Sequence, residues 1–483
     1  MSKVDTAWLR MEQPTNLMMI TGVMLLDDSF DFQRLLETID TRFLAFRRFQ
    51  QKAVMMPGGA FWETDPDFDI HAHVRRIALP GAADRAELQE MVSELASTPL
   101  DPAKPRWQFH LVENYRSGPV LILRIHHCYA DGMGLVQVLL SLTDPSPQPR
   151  ASARSKQQWT ERRVDESGVF RRLLAPARQG LHSAGHWAAT LSQGLGNLWQ
   201  NPAEVEVYAR EAVDVGEELR TTLTLSDDPD SSLKGELSSR KRVAWAPALP
   251  LDEVKAVGKA LGCTVNDVLI SVATGALNYY LRSCGDDRRD LEIRATVPVN
   301  LRPLEHAREL GNHFGLVYLP LPVGEPNPLR RLVRVHAAMA ELKRSRQAQV
   351  AFGLLAAVGL MPSLLQKQVL SIMSRKATTV LTNVPGPKQR LYLAGAPLRE
   401  MMFWVPQNGC IGIGISILSY ADKVQFGLMA DRRLIADPAD VVAHFSDEFE
   451  KLLYLVLQLP DGEITPEQAQ AWLDHELEML QTG

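Results

Sequence analysis

The chain has 483 residues, 45% of them hydrophobic and 23% charged, with a formal net charge of −5; this is the make-up of a globular protein of two or three domains, and nothing in its charge points to nucleic acid. The four cysteines, Cys128, Cys263, Cys284 and Cys410, stand far apart without CxxC or zinc-ribbon spacing, which sets aside a disulfide framework or a metal site built on cysteine. The opening MSKVDTAWLRMEQ lacks a basic-then-apolar leader, and the nearest approach to a membrane span, 350–365, is too short and carries Pro362, so the expectation is a cytoplasmic protein that touches a membrane without crossing it.

The stretch LMMITGVMLL (17–26) reads as a buried strand and FDFQRLLETIDTRF (30–43) as an amphipathic helix. A second helix is predicted over 86–98. RWQFHLVEN (106–114) and PVLILRIHH (119–127) read as two strands joined by a turn at Arg116-Ser117-Gly118. GLVQVLLSL (134–142) is helical. A polar, basic linker covers 144–168. The helical stretch 169–200 then sets Trp187, Leu191, Leu195, Leu198 and Trp199 among Arg171, Arg172 and Arg178. From about 243 the mixed pattern resumes. Helices are predicted at 252–261 and 265–282, strands near 291–301 and 313–323, a basic helix at 329–346 and an apolar helical stretch at 350–375. Strands follow near 377–383, 399–405, 411–419 and 423–430, then helices at 438–457 and 465–481. The class is mixed α/β.

The stretch ILRIHHCYADGMG (122–134) carries the chemistry. Neighbouring strand residues face opposite ways, so His126 and His127 cannot share one task if the strand reaches 127. The same alternation disfavours a Cys128–His127 nucleophilic pair. A packed core histidine and an Asp131 that merely caps the next helix stand beside a catalytic reading. The combination favours chemistry: a histidine at a strand end, where α/β folds meet ligands, followed by an aspartate able to hold the presenting loop, and by Gly132 for close backbone approach.

HHCYADG matches the HHxxxDG motif of the CoA-dependent acyltransferase superfamily. More narrowly, the chain resembles the bacterial wax ester synthase/diacylglycerol acyltransferase family. KPRWQFHLVEN resembles that family's PLW segment, with Arg106 where leucine is usual. TVNDVLISVATGAL (264–277) matches its ND motif. VPVNLR (297–302) and LTNVPGP (381–387) match two more, and DTAWLRMEQPTNLM (5–18) resembles its opening. The likeness covers roughly 5–475.

The resemblance implies a two-lobed, chloramphenicol acetyltransferase-like fold with the site in a channel between lobes. The lobes would be 1–145 and 243–483, with 146–242 as linker and helical crossover. It implies acyl transfer from acyl-CoA to a fatty alcohol or diacylglycerol, with His127 as general base and no cofactor beyond that substrate. Asp131 would be structural, with Arg294 as its expected partner, and Gly132 would allow the tight turn. The resemblance is compatible with a homodimer and with peripheral contact at an inner membrane or lipid inclusion, for which 169–200 has a suitable composition. Condensation on another acceptor or donor, and non-catalytic lipid binding, are the competing readings.

Thr264-x-x-Asp267 has the form of a capping box, which would tie Asp267 to its own helix. Asn266 is then free to project near a positive helix terminus and to donate to an oxyanion or position a substrate. Asn383, in NVPGP, sits at a strand end before a Pro-Gly turn and is expected to border the channel rather than perform a step. No GxxxxGK[ST] or GxGxxG loop occurs, so CoA phosphates would fall to scattered cations such as Arg302 and Lys388.

Overall fold

The computed structural model describes residues 1–27, 31–56, 59–148, 224–301, 312, 314–345, 347–358, 363–458, 465, 468–469 and 471. The expected helix in 169–200, most of the helix expected at 465–481, and Arg302 lie outside the described residues.

Two mixed sheets make two lobes. The first runs, edge to edge, Val74–Ile77, Trp107–Val112, Val120–His126, Met19–Leu26, Ala396–Trp404, Tyr392–Leu393, Thr143–Asp144. Its two central strands, Val120–His126 and Met19–Leu26, are buried at every residue. This fits their near-continuous apolar runs, the pattern of strands covered on both faces. They pair antiparallel, with Met19 opposite His126. That register delivers the end of the second strand to the lobe interface.

The second sheet runs Phe314–Leu321, Ile293–Asn300, Thr379–Pro385, Ile413–Tyr420, Lys423–Asp431, Lys241–Trp245. Helix Val265–Ser283 shares an apolar core with that sheet and buries most of its length. Each lobe has its own apolar core.

The expected strands and helices fall where periodicity put them, with ends shifted by a few residues. Two strands, Tyr392–Leu393 and Ala396–Trp404, do not follow chain order. Ala396–Trp404, from the C-terminal half, pairs with Met19–Leu26 in the first sheet, Thr21 opposite Trp404. Local alternation identifies such a strand but says nothing of its partner.

Several elements went unread in the sequence, among them the edge strands Val74–Ile77 and Lys241–Trp245, a helix at the N-terminus and a hairpin. Helix Lys3–Met11 is capped by Ser2, whose Oγ accepts the Asp5 N–H at 2.9 Å, and is buried at Val4 through Leu9 and at Met11. It packs against helix Gln347–Val358. At nine residues it is shorter than the stretch over which helical periodicity is read with any security. The hairpin Gln51–Met56/Gly59–Thr64 stands outside both large sheets. Only its Ala53 and Ala60 are buried.

Among the described residues no single helix is long and apolar enough to cross a membrane. The pair Leu251–Ala260 and Val265–Ser283 reaches that composition only together, across a 101° bend. All four cysteines are free thiols.

Candidate active site

The strand ends at His126, one residue short of the condition for strict alternation, and the two histidines part in the turn that follows. His126 turns back into the protein. Its ring is fully buried, Nδ1 accepts the Cys128 N–H at 3.1 Å, and Nε2 is 3.8 Å from the Glu12 carboxylate. Glu12 is in turn held by Arg106 at 2.7 Å. Burial, with the positive charge of Arg106, holds the His126 pKa well below the ordinary range.

His127 faces a cavity between the lobes. Its N–H donates to the Met18 carbonyl at 2.7 Å. Its ring stacks on Trp8, centroids 4.2 Å apart at 27°, and meets Phe314 at 5.7 Å. Burial lowers its pKa to about 4, against the opposing pull of its own carbonyl and the Asn312 side chain. Nδ1 is sealed inside and makes no hydrogen bond of ordinary geometry among the described residues. Nε2 is therefore the nitrogen left for a bound molecule.

The cavity has a volume of about 210 Å³. Its walls are cut from alternate residues of neighbouring strands: Thr296, Pro298 and Asn300 from one, Phe314 and Leu316 from the next, Val380, Thr382 and Val384 from a third. Asn383, Asp131 and Gly132 also line it, as does Phe403, from the late strand in the first sheet. Trp8 closes it beside His127. The surface is chiefly apolar with a few amides and hydroxyls, a lining that accepts alkyl chains and orients one polar group.

Asp131 caps helix Gly132–Ser141, its Oδ1 accepting the Gly134 N–H at 2.6 Å, and it is buried. The expected pairing with Arg294 does not form. Arg294 is the second residue of its strand, at the end away from the cavity. There its backbone N–H donates to Asp228, its Nε lies 3.7 Å from the same carboxylate, and its guanidinium reaches the Ser226 and Lys376 carbonyls. The turn also makes no demand for glycine at 132. Gly132 does not adopt left-handed backbone, and a methyl there would meet Val405 at an ordinary 4.0 Å. The bare position instead keeps that part of the wall open.

The capping box is realised. Asp267 Oδ2 accepts the Thr264 N–H at 3.0 Å, and Thr264 Oγ1 accepts the Asp267 N–H at 3.2 Å. His336 Nδ1 adds a 2.9 Å bond to Oδ2. Asp267 is thus spent on its own helix. Asn266 does not line the cavity; its Oδ1 accepts from Asn383 Nδ2. The carboxamide at the cavity wall is that of Asn383, with Asn266 behind it. Asn266→Ala should slow turnover at unchanged melting temperature by freeing Asn383. Asp267→Ala should cost about 0.5–2 kcal/mol of stability as a lost cap. Thermal melts alongside initial rates separate the two, and equal loss of stability would count against this division.

Arg106 does not line the cavity. Its carbonyl accepts the His126 N–H at 3.0 Å, its own N–H donates to Tyr129 Oη at 3.0 Å, and its guanidinium serves Glu12. Lys388 is exposed on the loop after Thr379–Pro385. Among the described residues one group, Cys263, Asp267 and His336, brings possible metal-ligand atoms within 4.8 Å of one another. It stands at the positive end of a helix with its carboxylate already engaged and contributes nothing to the cavity wall.

Comparison with known proteins completes the picture. A solved wax ester synthase/diacylglycerol acyltransferase from Marinobacter aquaeolei VT8 superposes with a TM-score of 0.65 at 21% identity, over 94% of this chain and 98% of that one. The first condensation domain of the calcium-dependent antibiotic synthetase superposes at 0.57 with 14% identity, over 96% and 97%. These folds define the class: a two-lobed acyltransferase or condensation-domain architecture with its cavity between the lobes. The sequence narrows it. The wax ester synthase/diacylglycerol acyltransferase catalytic domain matches residues 1–269 and the WS/DGAT C-terminal domain matches 310–453, and the chain belongs to this family of acyltransferases. A probable diacylglycerol O-acyltransferase of Mycobacterium tuberculosis is 28% identical over 431 residues, 88% of each chain. An O-acyltransferase of Acinetobacter baylyi is 26% identical over 405 residues, 81% of this chain and 83% of that one.

Proposed function

We propose that this acyltransferase moves a fatty acyl group from acyl-CoA to the hydroxyl of a long-chain alcohol or a diacylglycerol, with His127 as general base. The observation that carries the reading is a neutral imidazole at the wall of an apolar interlobe cavity. Nε2 takes the hydroxyl proton as the alcohol oxygen attacks the thioester carbonyl. The tetrahedral intermediate collapses with cleavage of the C–S bond, and the imidazolium returns the proton to the leaving thiolate. Burial keeps the ring neutral and able to accept that proton, and the same burial favours its return in the second step. Asn383 spends one amide N–H on Asn266 and keeps another for the substrate. No acyl-enzyme is called for, since the thioester is already activated. Cys128, the nearest thiol in sequence, is buried and held protonated.

The test is release of CoA thiol and formation of ester when purified protein meets palmitoyl-CoA with a panel of alcohols, diacylglycerols and amines. Ester from the alcohols or diacylglycerols supports the proposal. Amide formation would favour the condensation-type reading, and no product from any acceptor would favour lipid binding without catalysis.

Peripheral contact with a lipid surface belongs to the same proposal, since such acceptors reside there. The composition of 169–200 supports it, as do Met55, Met56 and Phe61, which are 48%, 55% and 49% exposed on the isolated hairpin. Liposome flotation at low salt should recover the wild type with anionic vesicles. It should recover less of a Trp187→Glu/Trp199→Glu variant and of a Met55→Glu/Phe61→Glu variant. Equal flotation of all three would clear both segments of the role.

A further inference from the structure

The turn that presents His127 is gripped from behind by residues of both lobes. Asp5, on the N-terminal helix, is 1% exposed. Its Oδ1 accepts two bonds from Asn312, from Nδ2 at 2.7 Å and from the backbone N–H at 3.3 Å. The same Nδ2 donates to the carbonyl oxygen of His127 at 3.0 Å. Three residues along the helix from Asp5, Trp8 stacks on the His127 ring. Arg48 lies 3.8 Å from Asp5 and donates to the Tyr129 carbonyl at 2.9 Å, so the same carboxylate is tied to the turn a second way.

We propose that Asp5 and Asn312 are positioning residues for the general base: Asp5 sets the orientation of the Asn312 amide, and that amide fixes the His127 peptide. The inference rests on the reading of His127 as base. Neither residue lines the cavity. The chemistry of the contact is directional. Turned as it is, the Asn312 side chain presents its N–H groups to two oxygens, a carboxylate and a carbonyl. Turned over, it would set its own oxygen against both. The Asp5 charge therefore selects one orientation, which leaves Asn312 Oδ1 buried beside the His127 ring without a hydrogen bond of ordinary geometry among the described residues. With the His127 N–H held by Met18 and its carbonyl held by Asn312, the peptide groups on both sides of the catalytic residue are pinned, and the stacked indole fixes the ring between them. A proton transfer depends on that placement: errors of about 1 Å can cost on the order of 10²-fold in rate.

A swap of the two side chains tests this. In the double variant Asp5→Asn/Asn312→Asp the buried pair still has a donor facing an acceptor, so melting temperature recovers relative to Asn312→Asp alone. The His127 carbonyl, however, now faces a carboxylate in place of an N–H. The expected result, with palmitoyl-CoA and a medium-chain alcohol, is restored melting with kcat still down by about 10- to 10²-fold and KM within about twofold. Asn312→Ala should show the same kcat loss at a temperature well below its melting point. Recovery of kcat together with melting in the swap, or an unchanged kcat in Asn312→Ala, would overturn the inference and leave the pair merely structural. His127→Ala is the companion measurement. If it retains wild-type rate, the general-base reading itself fails; if it is inactive while the swap is fully active, only the positioning role fails.

Discussion

Replacing His127 with alanine should lower kcat by about 10²–10⁴-fold, the usual contribution of a positioned general base, with the fold retained. The ring is anchored by stacking, and among the described residues its nitrogens make no hydrogen bond of ordinary geometry that others need. His126→Ala should do the reverse. It removes the acceptor for the Cys128 N–H from a fully buried site, a loss of about 1–3 kcal/mol, and leaves the cavity lining intact. Stopped assays of thiol release at saturating substrate, run beside far-ultraviolet circular dichroism and denaturant melts, distinguish the two. His127→Gln is the useful control, because it keeps volume and polarity but has no basic nitrogen. A normal rate for His127→Ala with an inactive but folded His126→Ala would reverse the assignment of the two faces.

The separation of the histidines was expected from the period of two in a strand, but the strand stops at His126 and the turn beyond it, with the His127 N–H held by the Met18 carbonyl, sets the two rings apart. The capping box at Thr264 and Asp267 was legible, since it is settled within one helical turn. What the sequence withheld was everything decided by distant pairing. Asn266 looked like the projecting amide, yet a residue 117 positions on takes its carbonyl oxygen and becomes the group at the cavity wall. Arg294 was a reasonable partner for Asp131 by charge alone. Its place at the far end of its strand gives it to Asp228 instead. Trp8, Asp5 and Asn312 lie in or near segments with family-like spacing, but nothing local says that a helix at the very start of the chain reaches the catalytic turn. The same holds for Phe403, whose strand reads plainly as a strand while its membership of the first sheet depends on Met19–Leu26.

The buried histidines should make the protein acid-labile, and His127 is one of them. Burial lowers the pKa of His127 and of His110 to about 4, the second with help from the charges of Arg124 and Arg75. It depresses His126 and His73 as well. In the unfolded chain these imidazoles titrate near 6.5. Between that value and about 4 the unfolded state binds protons that the folded state refuses, so stability is full above 6.5 and falls as pH drops through the window. At roughly 1.4 kcal/mol per unit, His127 and His110 each cost about 3 kcal/mol by pH 4. Domains of this kind have a net stability of about 5–15 kcal/mol. Two carboxyls oppose the trend. Burial raises Glu12 and Asp228, which take up protons in the folded state and return part of the loss near the bottom of the window. The expected result is an unfolding free energy, from denaturant melts at pH 7.5, 6.5, 5.5 and 4.5, that is level across the first interval and then declines steeply. His110→Gln should show a shallower decline, since it removes one of the titrating groups without touching the cavity. Activity should behave differently from stability: while the protein remains folded, His127 stays unprotonated, so kcat should hold through pH 6 and 5.5, where a free imidazole would already have lost about three-quarters and about nine-tenths of its neutral form. A stability curve that stays flat to pH 4.5, or a kcat that titrates near 6.5 in folded protein, would show that His127 is far better solvated than its place between Trp8 and Phe314 implies.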